Sequence, residues 1–130
     1  SPDENTVYVA ETQGGRLWGF DIESPGKLKP PAMALPHAFV ASPGGLNYFD
    51  SLAVEADGTV SVATIANGGI SRISPNDGSI RHVPTDDGMT TNICFGGDDL
   101  CTAYLTLSST GRLVKTPWDT PGIPLNFLNI

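Results

Sequence analysis

The stretch "DSLAVEADGTVSVATIANGGISRISPNDGSIRHVPT", residues 50–85, decides the fold. Apolar and small polar residues alternate over short runs, and each run is closed by Gly, Asp or Asn, which is the pattern of half-buried strands joined by tight turns. "DSLAVEA" reads as an inner strand, Asp57-Gly58 as a turn, "TVSVATI" as a second strand, and "GISRISP" as a third. "SIRHVPT" is the fourth, after a second Asp-Gly turn at Asp77-Gly78. The connections alternate ends, so both Asp-Gly turns fall on one face. The segments around Asp50, Ala66 to Gly69, and Thr85 to Asn92 fall on the other. Period 2 along the inner strand sends Leu52 and Val54 one way and Ser51 and Ala53 the other.

Two other segments line up on this one. "TVYVAETQGGRLWGFDI" from Thr6, "TVSVATIANGGISRISP" from Thr59 and "TAYLTLSSTGRLVKTPW" from Thr102 are each strand, Gly-containing turn, strand, with starts 53 and 43 residues apart. That spacing is the length of a four-stranded propeller blade with a variable loop. No 3.6-residue apolar period persists for two turns, so the expectation is all-β. By the same alternation Glu11 to Gly15 and Leu107 to Gly111 share the face of Asp50.

Composition agrees and narrows the partners. The 130 residues fit one domain, and 15 Gly and 11 Pro against 16% charged residues describe a turn-rich globular chain. A net charge of −7 repels phosphate backbones and anionic lipid, so nucleic acid and membrane surfaces are not expected partners. No apolar run approaches the roughly 20 residues that span a bilayer. The opening "SPDENT" carries neither the charged nor the apolar stretch of a leader. Cys94 and Cys101 read as buried reduced thiols ahead of a disulfide across a short hairpin, and no N-x-[ST] sequon occurs. A cytoplasmic home is the expectation.

The chemistry centres on Asp50. Carboxylate and amide oxygens are hard ligands suited to Ca²⁺, Mg²⁺ or Mn²⁺, and the chain lacks the Cys or His clustering of a structural zinc site. Taken alone, Asp50 reads first as a turn or strand-cap residue. Its place at the strand's start near the central axis also lets it meet carboxylates converging from neighbouring blades. Thr90, Thr91 and Asn92 start the next inner strand on the same face, where they either reach a ligand or satisfy loop backbone groups. Glu11 and Asn67 lie in loops of this face as further substrate-contact candidates. His37 and His82, with no H-x-H or H-E-x-x-H spacing, read as structural, and the pairs Asp86-Asp87 and Asp98-Asp99 read as solvated turns. No G-x-S-x-G elbow, phosphate-cradling Gly loop or dinucleotide fingerprint is present, which removes the serine hydrolase, kinase and dehydrogenase readings.

"SPDENTVYVAET", "FDSLAVEADGTVSVATIANGGISRISPNDG", "TTNICFGGDDLCTAYLTLSSTGRL" and "PGIPLNF" occur in order along nearly the whole chain. Together they resemble the carboxy-terminal part of the gluconolactonase family that includes regucalcin (senescence marker protein) and luciferin-regenerating enzyme. The resemblance implies about two and a half to three blades of a six-bladed β-propeller. It also implies one divalent cation near the axis, and hydrolysis of sugar-acid lactones or related esters. Ca²⁺ is the first choice of ion, with Mg²⁺, Mn²⁺ or Zn²⁺ as alternatives. The Asp of the family's P-D-G-[LM] signature is a metal ligand and falls on Asp50 of F-D-S-L, with Phe49 where Pro is usual and Ser51 where Gly is usual. Asp50 is then the expected metal ligand and catalytic group, while Thr90, Thr91, Asn92, Asn67 and Glu11 stay candidates, by their place on the face, for contact with substrate or with the ligands. The family's Glu near its beginning and the Asn of an N-G-[LI] signature have no counterpart here. That Asn normally lies a few residues ahead of "SPD". The expectation is therefore a chain inactive alone, with open strand edges and sheet faces covered by a missing amino-terminal half or by self-association. The alternative is a non-catalytic propeller scaffold that binds a ligand or a protein on the same face.

Overall fold

The structure, a computed structural model, describes residues 1–30 and 38–127. His37 lies outside the described residues. Three antiparallel sheets follow one another along the chain. In the first, β1 (Thr6–Glu11) pairs with β2 (Arg16–Ser24), and the short strands β3 (Lys27–Leu28) and β4 (Phe39–Ala41) both pair with β2. The second is a sequential meander of β5 (Tyr48–Val54), β6 (Val60–Ile65), β7 (Ile70–Ile73) and β8 (Ile80–Val83). In the third, β9 (Thr90–Gly96), β10 (Thr102–Leu107) and β11 (Arg112–Pro117) pair in order. These are successive blades of a β-propeller, the middle one with all four strands. Among the described residues no helix is long and apolar enough to cross a membrane.

The turns form for local reasons. The Asp57 carboxylate accepts the Thr59 N–H at 2.9 Å, and Asp77 does the same for Ser79 at 3.0 Å, so each Asp-Gly pair closes its hairpin through its own side chain. Strand β5 begins at Tyr48, two residues ahead of the expected start, so Asp50 lies inside the strand.

The middle blade is covered on both faces, and its strands β6 and β7 are buried almost throughout. Against the first blade, Phe49, Leu52, Val54, Val60, Val62 and Ile73 pack on Leu17 and Ala41. Against the third, Ala53, Ala63 and Ile70 pack on Ile93, Ala103, Leu105 and Leu107. The expected division of Leu52 and Val54 from Ala53 is therefore the division between two inter-blade cores. Burial on both faces forces the polar residues of these strands to find partners. Thr64 and Ser71 bond through their hydroxyls at 2.8 Å.

One buried ion pair ties the far end together. The Arg72 guanidinium forks onto the fully buried Glu55 through Nε at 2.8 Å and through NH2. Glu55 also accepts from Ser61 Oγ (2.6 Å) and Trp118 Nε1 (3.1 Å). Arg72 lies 5.2 Å from the Trp118 ring centroid and donates to Asp119 at 2.7 Å. The segment beyond β11 is thereby drawn back across the blades, and Ala56 N–H donates to Pro121 O and Ile123 N–H to Val54 O.

The outer sheets each leave one face open. On the first blade this face carries Val7, Val9, Trp18, Phe20 and Phe39, with Val9 44% exposed and the Trp18 and Phe39 rings edge to face at 5.8 Å. On the third blade it carries Asn92, Cys94, Thr102, Tyr104, Thr106 and Lys115 together with the exposed Leu113, a mostly polar set. Cys94 and Cys101 are both free, as expected, but they are not buried. Cys94 is exposed opposite Tyr104 and Cys101 is half-buried, its thiol pushed up by burial and the Asp99 carboxylate.

Candidate functional site

The loops predicted to share a face do meet. The Thr12–Gly15 turn lies against the Asn47 carbonyl just ahead of β5. Ala66 N–H donates to Gly88 O at 2.7 Å, and Ser108 N–H to Met89 O at 2.8 Å. Asp50 sits where this face receives β5. Phe49 opposes Thr64 and Leu52 opposes Val62, so Asp50 and Ser51 together face one residue of β6: a β-bulge. The extra residue breaks period 2. It lets Phe49, 0% exposed, and Leu52 enter the same core while re-aiming the residue between them. The half-buried Asp50 carboxylate makes no hydrogen bond to any described residue.

The next inner strand repeats the device. Thr106 opposes Asn92 and Leu107 opposes Thr90, which leaves Thr91 as the extra residue of β9. Thr91 therefore stands in the third blade where Asp50 stands in the second, and β5 packs directly on β9. The Thr91 hydroxyl bonds to Thr106 Oγ1 (2.9 Å) and Ser108 Oγ (2.8 Å). Thr90 is fully buried, accepts the Gly69 N–H at 2.8 Å and bonds to Thr85 Oγ1 at 2.7 Å, so its hydroxyl is spent on loop backbone and a neighbouring Thr. Asn92 is exposed one position further in. Glu11 and Asn67 lie at the rim. Glu11 accepts from Arg16 (3.1 Å) and Trp18 Nε1 (2.9 Å), while the exposed Asn67 lies 3.4 Å from His82 Nε2. Of the six residues, the bulges bring Asp50 and Thr91 to equivalent places on adjacent inner strands, Asn92 is exposed next to Thr91 on the open face of the third blade, and Thr90, Glu11 and Asn67 stand apart from them.

Asp87 overturns the reading of Asp86-Asp87 as a solvated pair. It is 3% exposed and accepts Met89 N–H (2.8 Å), Thr110 N–H (2.9 Å), Thr110 Oγ1 (2.7 Å) and Ser109 N–H (3.3 Å). The Thr110 hydroxyl first, then these N–H groups, hold its pKa well below the usual carboxylate range against the opposing effect of burial. Asp86 is exposed and takes both ends of the Arg112 guanidinium, at 2.8 and 3.1 Å. The Asp87 to Met89 bond was legible as a side chain turning back onto the backbone two residues on. The Thr110 bonds were not, because they join positions 23 apart. Asn47 was also missed: its Nδ2 donates to Gly44 O at 2.5 Å and its buried Oδ1 has no described partner.

No group of three His, Cys, Asp or Glu side chains gathers among the described residues. Any ion at Asp50 would therefore take one carboxylate from the described part of this chain. The donor set fits that role, since a half-buried carboxylate without a protein partner at a bulge is a hard-oxygen ligand with lone pairs to spare.

A family model described as "SMP-30/Gluconolactonase/LRE-like region" matches residues 1–109. The chain belongs to this SMP-30/gluconolactonase/LRE-like family. Among its relatives is the 6-deoxy-6-sulfogluconolactonase of Pseudomonas putida, 27% identical over 121 residues, which are 93% of this chain and 40% of that protein. A luciferin-regenerating enzyme structure superposes with a TM-score of 0.75 at 17% identity, covering 93% of this chain and 44% of that one. A calcium-binding protein, regucalcin, from Agrobacterium tumefaciens C58 superposes with a TM-score of 0.71 at 20% identity, covering 95% and 45%. The chain thus spans less than half the length of these gluconolactonase-like relatives. Within the family's expected pattern, Phe49 fills an inter-blade core and Ser51 completes the bulge, so the two departures beside Asp50 are both accommodated by the fold.

Proposed function

We propose that this chain forms part of a metal-dependent hydrolase of sugar-acid lactones or related esters. The observation that carries the reading is the unpartnered Asp50 carboxylate, bulged out of an inner strand on the face where the loops converge. Family membership and the Pseudomonas putida relative, whose name is that of a lactonase, support the reaction class. The Asp50 carboxylate would hold a divalent cation and would accept the proton of the attacking water. Such a cation, when bound, polarises a lactone carbonyl and lowers the pKa of water. Ca²⁺ is our first choice of ion, in line with the description of the regucalcin relative as calcium-binding. Thr91 and Asn92 orient the substrate's hydroxyl groups from the adjacent strand, and Asn67 and Glu11 bound the rim. The remaining ligands come from blades outside the described residues. They belong to an amino-terminal half or to a second copy, so the chain alone is inactive. Free thiols at Cys94 and Cys101 fit a reducing, cytoplasmic setting.

The test is Asp50→Ala in the complete protein. Hydrolysis of glucono-δ-lactone, followed by acid release with and without divalent ions, should fall by about 100-fold or more. Circular dichroism should remain that of a β protein. An unchanged rate would show that the site is misplaced, and absence of hydrolysis by the unaltered complete protein would favour the scaffold.

A further inference from the structure

We propose that Asp87 is the positioning residue of the substrate-binding rim: it locks the Leu107–Gly111 turn and, through Ser108, helps to set the hydroxyl of Thr91 at the bulge that matches that of Asp50. The inference rests on the reading of Asp50 as the centre of the site.

Three loops of the Asp50 face meet at this one residue. Its two oxygens take the N–H groups of Met89, Ser109 and Thr110 and the hydroxyl of Thr110. Its own carbonyl accepts from Thr85 Oγ1 at 3.0 Å. The third loop, Ala66 to Gly69, presses its backbone on the same carbonyl, since a Cβ added at Gly68 would stand 2.3 Å from it. The turn so held continues directly into Ser108, whose hydroxyl is 2.8 Å from that of Thr91. The Thr91 hydroxyl is held between Ser108 and Thr106, so a shift of Ser108 removes one of its two described side-chain partners. A buried carboxylate with several converging donors is a stiff junction, because each donor left unpaired in a protein interior carries its own desolvation penalty. Asp87 makes no hydrogen bond to Asp50, so its influence on the reaction passes through the rim.

That route predicts a particular kinetic signature. A variant that merely folds less well lowers the concentration of active enzyme and leaves KM untouched. A displaced rim weakens binding of the substrate's hydroxyl groups and raises KM. Asp87→Asn keeps the shape and one acceptor, and Thr110→Val removes one bonded hydroxyl with little change of volume. In the complete protein both should raise KM for glucono-δ-lactone, Asp87→Asn by about 10-fold and Thr110→Val by about 3-fold, with kcat within about 2-fold. Calcium affinity by titration calorimetry should stay within about 2-fold of the parent. An unchanged KM in soluble, folded Asp87→Asn overturns the inference, as does a matching loss of calcium affinity. Asp50→Ala assayed alongside separates the two readings. If that variant keeps full activity the site itself is misplaced, whereas its inactivity with an unchanged KM in Asp87→Asn sinks only the role of Asp87.

Discussion

At the scale of single residues, the two acids Asp50 and Glu55 lie in one strand region and do opposite things. Glu55 is fully buried and saturated by Ser61, Arg72 and Trp118, and Asp50 is half-buried and unpartnered. The difference decides which one is available for chemistry. It also fixes what Arg72 is for. Arg72→Ala would leave the Glu55 charge in a protein interior with only neutral donors, a loss of about 3–5 kcal/mol. Thermal and urea unfolding of the complete protein measure it. Replacing Glu55 and Arg72 together by Met should cost clearly less than the two single changes summed, because the uncompensated charge disappears with the pair. Additive costs would show that the pair is not coupled. Arg72 stays charged throughout, since burial, which lowers its pKa, is outweighed by the bonds and charge of Glu55 and Asp119.

At the scale of elements, the hairpins were readable from local pattern and the bulges were not. The Asp-Gly turns, the alternation in "TVSVATI" and the strand pairing of Thr59 to Pro75 all follow from neighbours a few positions apart. The bulge at Asp50 and Ser51 depends on which core Phe49 enters, and that is settled by the packing of the first blade against the second. The β6–β7 hairpin shows how tightly such elements abut. Gly68 has φ of +63° with the Asp87 carbonyl in the way of any Cβ, whereas Gly111 has φ of +65° with open space around it. Gly111→Ala should lose about 1–2 kcal/mol from backbone strain alone. Gly68→Ala should lose more than that, because the steric clash adds to the same strain. Equal melting temperatures for the two variants would remove the clash from the account. The candidate site was legible in the same uneven way. Asp50 and the converging loops came from the repeat and from the family signature. Asp87 looked like a surface turn, because nothing near it in sequence announces Thr110 as its partner.

At the scale of the whole molecule, the inter-blade cores account for the order of the middle blade and leave the outer blades half covered. The first blade's outer face is apolar, with Val7, Val9, Trp18, Phe20 and Phe39 on one sheet surface, and the third blade's is mostly polar. An apolar sheet face of this kind is normally packed against another layer. The 130-residue chain expressed alone should therefore self-associate, or co-purify with a companion fragment when one is present. Light scattering gives the mass directly. Val9→Lys, which places a charge in the middle of that face, should reduce self-association without disturbing the buried side of the same blade. A well-folded monomer of the unaltered chain would show that the open face is tolerated in water. Activity assays of the isolated chain belong to the same scale, because the described residues gather no full set of metal ligands.

The sequence by itself determined the strands, their turns, the repeat that makes them blades and the face on which the loops converge. Those features rest on alternation, on carboxylates bonding the backbone two residues on, and on spacing, all of which act over short distances along the chain. Only the tertiary structure decided that Asp50 and Thr91 occupy matching bulges, that Asp87 is an internal junction, and that Arg72 reaches Asp119 across 47 positions to hold the segment that follows β11. Each of these is a contest over burial between segments distant in sequence. A polar side chain enters an interior only where a partner from another blade is waiting, and the sequence does not say where that partner will be.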